Sequence, residues 1–251
     1  MNNSMFEIKD NKLIKYLGNQ TEIVIPEGIT EIGETAFLLN KKIESVIFPS
    51  TLKVIGKQAF TGCIKLKYVI LPDDIETIEE SAFFDCRSIE KIILPNNIKY
   101  IGHSAFAECE KLFSIAIPTS LTEINDNVFG GCKNLCGVKI PNSVTKIGNS
   151  AFWGCKGLAV IEIPDSVTEI GDKCFSFCHI LKDIKLSKNL VSLGSEAFCS
   201  CKNLRTLELP DSLKSIPTDL LNLCEMVTIY ASENSYAKTY AIENNIMFKV
   251  K

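Results

Sequence analysis

The sequence predicts a single elongated solenoid of 23-residue coils, and three recurring residue types support this fold class. Phenylalanines recur every 23 residues from Phe37 to Phe198, and cysteines do so from Cys63 to Cys224. Prolines share that spacing, at Pro26, Pro49, Pro72, Pro95, Pro118, Pro141, Pro164 and, after one coil with Ser187, at Pro210. A fixed period of this length is typical of stacked coils in which each unit contacts only its neighbours.

Residues 1–22 are predicted to form an N-terminal hairpin that caps the first coil. In FEIKDNKLIKYL, residues 6–17, apolar residues flank Asp10 and Asn11, a pair suited to a tight polar turn. The first coil of a solenoid has no neighbour on one side, so its core and its open strand edge need a cover.

The repeating unit I-x-I-P-x-x-V-x-x-I-G-x-x-A-F-x-x-C-x-x-L-x-x extends over residues 23–227 and predicts the elements of each coil. The alternation in I-x-I predicts a short strand, which proline ends because it has no N–H to donate. V-x-x-I-G predicts a second short extended segment, and A-F-x-x-C-x-x-L favours a 3₁₀-like or short helical turn. The corner glycines are expected to supply positive φ at Gly56, Gly102, Gly148, Gly171 and Gly194.

The last coil departs from the repeat and leads into a predicted C-terminal cap, residues 228–251. Pro217 and Leu221 stand where other coils have glycine and phenylalanine. After them, Ser235 is predicted to cap a helix, and a strand is expected over residues 246–250.

The repeats resemble the BspA-like, or Treponema pallidum-type, leucine-rich repeats. The stretch IPDSVTEIGDKCFSFCHILKDI, residues 163–184, and its copies carry the resemblance from about Ile23 to Cys224. It implies a right-handed leucine-rich-repeat solenoid with a concave parallel β-sheet. It also implies an association with bacterial and protist surface proteins that bind host or matrix proteins. Because one fold serves many functions, function has to be argued from individual residues.

Eight of the eleven cysteines share one column of the repeat and are predicted to be buried, free thiols. Parallel stacking points them in one direction, which offers no natural disulfide pairing. Cys136, Cys174 and Cys199 are additional, and with Cys178, His179 and Cys201 they give the metal-like spacings C-x3-C-H and C-x-C. We expect no zinc site and no cofactor, because His179 should face away from the inward cysteines. The thiol content favours a reducing or anaerobic environment.

Composition and charge argue against several function classes. No apolar run approaches the roughly 18 residues that span a bilayer, so membrane insertion is not expected. The net charge is −3 and nearly all basic residues are lysine, which argues against a nucleic-acid partner. His103 and His179 fall in columns of charged residues, and no nucleophile has a base partner, so the chain is predicted not to be an enzyme.

Two columns of the concave sheet are expected to point outward. One reads Val24, Ile47, Ile70, Ile93, Ala116, Lys139, Glu162, Lys185, Glu208, and the other Glu22, Ser45, Tyr68, Lys91, Ser114, Gly137, Val160, Asp183, Thr206. In the N-terminal half the outward residues are aliphatic, either because such residues suit a pleated surface or because they bind a partner. In the C-terminal half Lys and Glu alternate, so that opposite charges on neighbouring strands can pair. The candidate partner-binding residues are Ile47, Tyr68, Ile70, Lys91, Ile93, Lys139, Glu162, Asp183 and Lys185.

The sequence favours a non-enzymatic scaffold that binds a protein partner on the concave sheet, with Tyr68 as the anchor. The alternative is a segment of a cell-surface adhesin or structural repeat array that binds host or matrix proteins. The N-terminus lacks the regions of a secretion signal, so an intracellular protein and an excerpt of a surface-exposed one both stay open. Self-association through the aliphatic half is a further alternative.

Overall fold

The computed structural model describes residues 5–251 and has the predicted leucine-rich-repeat solenoid architecture. Residues 1–4 of the predicted N-terminal cap lie outside the described part of the chain. The elements are β1 (Phe6–Lys9), β2 (Lys12–Tyr16), β3 (Glu22–Val24), β4 (Glu31–Ile32), β5 (Ser45–Ile47), β6 (Val54–Ile55), β7 (Tyr68–Ile70), β8 (Thr77–Ile78), β9 (Lys91–Ile93), β10 (Tyr100–Ile101), β11 (Ser114–Ala116), β12 (Glu123–Ile124), β13 (Gly137–Lys139), β14 (Lys146–Ile147), β15 (Val160–Glu162), β16 (Glu169–Ile170), β17 (Asp183–Lys185), β18 (Ser192–Leu193), β19 (Thr206–Glu208), β20 (Thr228–Ala231), α1 (Tyr236–Glu243) and β21 (Met247–Val250).

The coils supply two sheets. The odd-numbered, three-residue strands from β3 to β19 form the front sheet, which is the sheet predicted to be concave. The even-numbered, two-residue strands from β4 to β18 form the back sheet. In most front strands the central residue is buried and its neighbours point outward, as in Tyr68–Ile70, because successive side chains of a strand alternate between its faces.

A proline ends most front strands, and one coil achieves the same turn with serine. Ser187 is fully buried, and its Oγ accepts a hydrogen bond from the Asn189 N–H at 3.1 Å. A serine hydroxyl that bonds the nearby backbone favours a turn over a continued strand. The missing proline therefore leaves the course of the coil unchanged.

Hydrogen bonding divides both sheets into segments. The front sheet runs without interruption from β3 to β13, and is followed by the pair β15–β17 and by the group β19, β20 and β21. The back sheet has one segment from β4 to β10, extended by the hairpin β1–β2, and another from β12 to β18. All paired strands are parallel except those of the hairpin. Equivalent residues of neighbouring coils therefore lie side by side.

Aromatic rings form the centre of the core. Successive phenylalanines of the repeat column stack with ring centroids between 4.7 and 5.9 Å apart. Tyr16 of the hairpin extends the column onto Phe37 at 5.2 Å, and Phe6 lies 5.6 Å from Tyr16. The hairpin thus covers the first ring of the column, which would otherwise face solvent.

In the turns that carry these rings, the backbone N–H groups donate hydrogen bonds alternately to carbonyls of the same coil and to carbonyls of the next coil. The Thr61 N–H donates to the Gln58 carbonyl in its own coil, whereas the Phe60 N–H donates to the Ala82 carbonyl at 2.8 Å. Gln58 has a φ of 55° and so belongs to the left-handed region. The predicted helical turns are therefore single i→i+3 turns, separated by residues that bind the neighbouring coil.

The prediction that the corner glycines adopt positive φ is wrong. Positive φ is absent at Gly56, Gly102, Gly148, Gly171 and Gly194, and occurs two positions later, as at Gln58. These glycines are required because adjacent coils pass close together there: a Cβ on Gly194 would lie 2.3 Å from the Asp172 nitrogen. Asn125 replaces glycine in one coil, and its side-chain amide donates to the Ile101 carbonyl of the preceding coil at 2.7 Å.

The C-terminal residues add a strand, a helix and a final strand to the end of the solenoid. Ser235 caps α1 as expected, since its Oγ accepts a hydrogen bond from the Lys238 N–H at 3.4 Å. The helix buries Ala237, Tyr240 and Ala241, and β21 pairs in parallel with β20. Among residues 5–251, no helix has the length and apolar character needed to cross a bilayer. The cap boundaries at residues 22 and 227 stay predictions.

Candidate protein-binding face

The candidate residues all lie on the front sheet but fall into two groups. Ile47 lies on β5, Tyr68 and Ile70 on β7, Lys91 and Ile93 on β9, Lys139 on β13, Glu162 on β15, and Asp183 and Lys185 on β17. The three strands β5, β7 and β9 are neighbours in one hydrogen-bonded segment, whereas β15 and β17 form a separate pair. The structure therefore brings the aliphatic candidates together with Lys91, leaves Lys139 at the far edge of the same segment, and separates them from Glu162, Asp183 and Lys185.

The apolar patch consists of Val24, Ile47, Tyr68, Ile70 and Ile93. These residues are between 49% exposed, for Ile93, and 69% exposed, for Ile70. Val24 lies opposite Ile47, and Ile70 lies opposite Ile93, in parallel register. Single exposed aliphatic residues are ordinary on protein surfaces. A contiguous row across neighbouring strands is the kind of apolar surface that binds partners.

A groove opens in the patch between β5 and β7. These two strands pair only at Ser45 and Tyr68, whereas β5 pairs with β3, and β7 with β9, over three residues each. The groove has a volume of about 680 Å³, and Ile47, Tyr68 and Ile70 border it while the buried ring of Phe48 lies beneath. This volume falls in the range of sites that accept ligands or partner side chains.

Carboxylates line one side of the groove. Glu27, Asp73 and Asp74 follow the ends of the front strands there, and among residues 5–251 no lysine or arginine lines the groove. Asp74 forms an ion pair with Lys53 at 3.0 Å, and the Glu27 carboxylate accepts two hydrogen bonds from Ser50. Within residues 5–251, no basic side chain lies within ion-pair distance of the Asp73 carboxylate.

Sequence reasoning missed this acidic rim. A signal was present, because the position directly after the repeated proline is acidic at Glu27 and Asp73. That position lies next to the outward columns, so it belongs to the same face. The proximity of the carboxylates to the groove depends on where β5 and β7 separate, and the repeat pattern carries no information on that separation.

The charged half of the front sheet neutralises much of its own charge. Lys185 pairs with Glu162 on the adjacent strand, and this hydrogen bond raises the pKa of Lys185. Lys251, just after β21, pairs with Glu208 at 3.1 Å. Exposed ion pairs of this kind contribute little to stability, because solvent screens them. Pairing between neighbouring strands is therefore enough to explain why Lys and Glu alternate here, and a binding partner is not needed for the explanation.

Seven thiols of the cysteine column are buried, as predicted, whereas the last one, Cys224, is half-buried. In addition, each Sγ donates to the carbonyl of the phenylalanine 26 residues earlier, for example Cys86 to Phe60 at 3.1 Å and Cys109 to Phe83 at 3.4 Å. Burial raises the pKa of the Cys63 thiol to about 12. The thiols therefore stay protonated and serve as weak donors between coils. In the part of the chain that the structure describes, no three His, Cys, Asp or Glu side chains are placed to share a metal ion.

Comparisons with known proteins agree with this architecture. A family model described as a BspA type leucine rich repeat region matches residues 7–136 and 122–249. A solved leucine rich repeat protein of T. pallidum is 28% identical over 81% of this chain and 90% of its own, with a TM-score of 0.59. No curated protein matches the chain significantly.

Two further solved structures resemble the chain. A leucine-rich repeat protein from Bacteroides ovatus ATCC 8483 is 25% identical, over 92% of this chain and 84% of its own, with a TM-score of 0.52. A leucine rich cell surface protein from Faecalibacterium prausnitzii A2-165 is 22% identical, over 98% of this chain and 92% of its own, with a TM-score of 0.54. The second likeness concerns the fold alone.

Proposed function

Since the chain belongs to the BspA-type leucine-rich repeat family, we propose that it is a non-enzymatic scaffold that binds a protein partner on the apolar patch of its front sheet. Proteins with these repeats are usually interaction or surface proteins, and the scaffold is typically non-enzymatic. The family sets the class of function, and the site has to be argued from this chain's own residues.

The observation that carries the proposal is the contiguous apolar patch with a groove inside it. Val24, Ile47, Ile70 and Ile93 are aliphatic on four consecutive front strands, whereas the other outward residues of that sheet, apart from Tyr68 and Val160, are polar, charged, alanine or glycine. Burial of apolar surface contributes roughly 25 cal/mol per Å², so these side chains favour association with an apolar surface.

The occupant that fits this site best is an extended segment of a protein. The groove is lined by residues of the extended strands β5 and β7 and of the segments that follow them. An extended segment can place one side chain in the groove and pack its neighbours on Ile70 and Ile93. Tyr68, which is 53% exposed beside the groove, supplies a rigid ring and a hydroxyl, a combination that is enriched among interface hot spots.

A selection from a random peptide library on the purified protein tests the proposal. Peptides that bind the wild type should lose binding to Ile70→Glu, which puts a charge into the patch. Val160→Glu is the matched control, because Val160 is 53% exposed on the same sheet outside the patch. Binding that survives Ile70→Glu would contradict the site.

Self-association is the competing use of the same patch, and sedimentation at several concentrations distinguishes it. We expect the wild type to sediment as a monomer. A dimer that dissociates in Ile70→Glu would replace the partner-binding proposal with a self-association function.

A cell-surface adhesin remains the second candidate. It is favoured by the association of the family with surface proteins, and a leucine rich cell surface protein from F. prausnitzii has a similar fold. The reading frame of the natural gene separates the two candidates. An upstream export signal or a downstream anchor would support the adhesin, and in that case the apolar patch would be its proposed contact with host or matrix protein.

A further inference from the structure

We propose that the bound segment carries a lysine or arginine next to the apolar side chain that enters the groove. This inference rests on the function proposed above and specifies the chemistry of the partner. It assigns the acidic rim of Glu27, Asp73 and Asp74 as the part of the site that selects among apolar segments.

The lining of the groove carries charge of one sign. Its charged residues are the three carboxylates of the rim, all exposed, and none is basic. Lys53 reaches Asp74 from outside the groove and leaves the charges of Glu27 and Asp73 without a basic neighbour in the lining. A cleft lined by charges of one sign attracts a ligand of the opposite sign.

Asp73 is the residue best placed to bind such a cation. It lies directly after Pro72, which ends the coil segment containing Ile70, and it borders the same groove as Tyr68. Among the described residues its carboxylate has no ion-pair partner, so no existing pair has to be broken when a partner binds. A carboxylate of this kind can form a charge-assisted hydrogen bond with Lys or Arg.

The other charged residues of the front sheet determine on which side of Tyr68 the basic residue of the partner is expected. Lys91 lies opposite Tyr68 on β9, on the side of Tyr68 away from β5. A basic residue of the partner would be repelled there and attracted at Asp73. The charged half of the sheet is balanced by comparison, since Glu162 pairs with Lys185. The cation of the partner is therefore expected beside Asp73 and away from Lys91.

The test uses the peptides selected on the wild type and two charge reversals. Selected peptides should combine an aliphatic or aromatic residue with a nearby Lys or Arg, and exchange of that residue for Glu should weaken binding at least about fivefold. Asp73→Lys should weaken binding by a similar factor. Glu123→Lys is the matched control, because Glu123 is also exposed and has no ion-pair partner among residues 5–251 but lies on β12 of the back sheet, and it should leave binding unchanged.

The outcomes separate this inference from the function on which it rests. Peptides without basic residues, or equal binding by wild type and Asp73→Lys, would overturn the inference; loss of binding in Ile70→Glu would still support the proposed function. Unchanged binding in Ile70→Glu would overturn both. Asp73→Asn guards against a folding effect, since it keeps the side-chain size and should weaken binding less than Asp73→Lys.

Discussion

At the scale of the residue, the ring column makes the core sensitive to single truncations. Phe106 is fully buried, with its ring 5.5 Å from Phe83 and 5.9 Å from Phe129. We expect Phe106→Ala to lower the free energy of unfolding by roughly 3–5 kcal/mol, because it removes packed surface and leaves a cavity. Chemical denaturation followed by circular dichroism measures this loss.

Phe113 provides the matched control for this substitution. It is 63% exposed at the entrance to β11, so Phe113→Ala should change the unfolding free energy by less than about 0.5 kcal/mol. Equal stability of Phe106→Ala and wild type would show that the rings are not the centre of the core.

The buried thiols predict a loss of stability in alkaline solution. Burial raises the pKa of the Cys63 thiol from its ordinary 9.0 to about 12. A raised folded-state pKa means that the contribution of this thiol is complete below pH 9 and is lost as the pH rises toward 12. Between pH 8 and pH 10 each such thiol should reduce the unfolding free energy by about 1–2 kcal/mol, because only the unfolded chain ionises.

Urea denaturation of wild type and Cys63→Ala at both pH values checks this effect. The variant should lose less stability than the wild type, since lysine and tyrosine titrate equally in both. The same pH-dependent loss in both proteins would contradict the assignment of a raised pKa to Cys63.

At the scale of the element, close approach at the corners explains the glycines. The repeat pattern correctly marks these positions as special, yet it cannot distinguish positive φ from lack of space for a Cβ. The distinction lies between coils: the Cβ of an alanine at Gly194 would meet the Asp172 nitrogen at 2.3 Å. Sequence reasoning within one coil does not contain that contact.

Gly194→Ala should therefore destabilise the protein, although the φ of Gly194 lies outside the left-handed region and is accessible to alanine. The expected loss is about 1–3 kcal/mol, because the backbone of the preceding coil has to move. Gly137→Ala is the control, since its nearest contact would be the Ser114 side chain at 3.3 Å, and it should change the unfolding free energy by less than about 0.5 kcal/mol. Thermal denaturation of the two variants measures this difference. Equal losses of stability in Gly194→Ala and Gly137→Ala would contradict the explanation by close packing between coils.

The strands themselves were predictable because two local signals agree. Alternation fixes which side chains of Tyr68–Ile70 are buried, and Pro72 fixes where the extended segment ends. The interruption of the front sheet between β13 and β15 was not predictable. Pairing between coils depends on small displacements of whole coils, which residue types at a fixed spacing do not record.

At the scale of the whole molecule, repeated columns and varying columns have different consequences. The phenylalanine and cysteine columns are the same in nearly every coil and account for the core. The outward column changes from Ile70 to Glu162 along the sheet, and this change creates an apolar half and a charged half. Both halves could be derived from the sequence, because the outward positions follow from the period of the strand.

The groove and its acidic rim could not be derived in the same way. They depend on the separation of β5 from β7 beyond Ser45 and Tyr68. Asp73 and Glu27 come from different coils and approach the groove only through the stacking of those coils. The sequence therefore predicts the apolar surface that we propose as the binding site, and the structure adds the acidic rim on which the proposed partner chemistry rests.

The central claim is that the varying column binds a partner while the repeated columns maintain the fold. The most direct test is the dissociation constant of one selected peptide, measured by fluorescence anisotropy, for wild type, Ile70→Glu and Val160→Glu. We expect at least about thirtyfold weaker binding for Ile70→Glu, unchanged binding for Val160→Glu, and melting temperatures close to wild type for both. Equal dissociation constants for Ile70→Glu and wild type would contradict it.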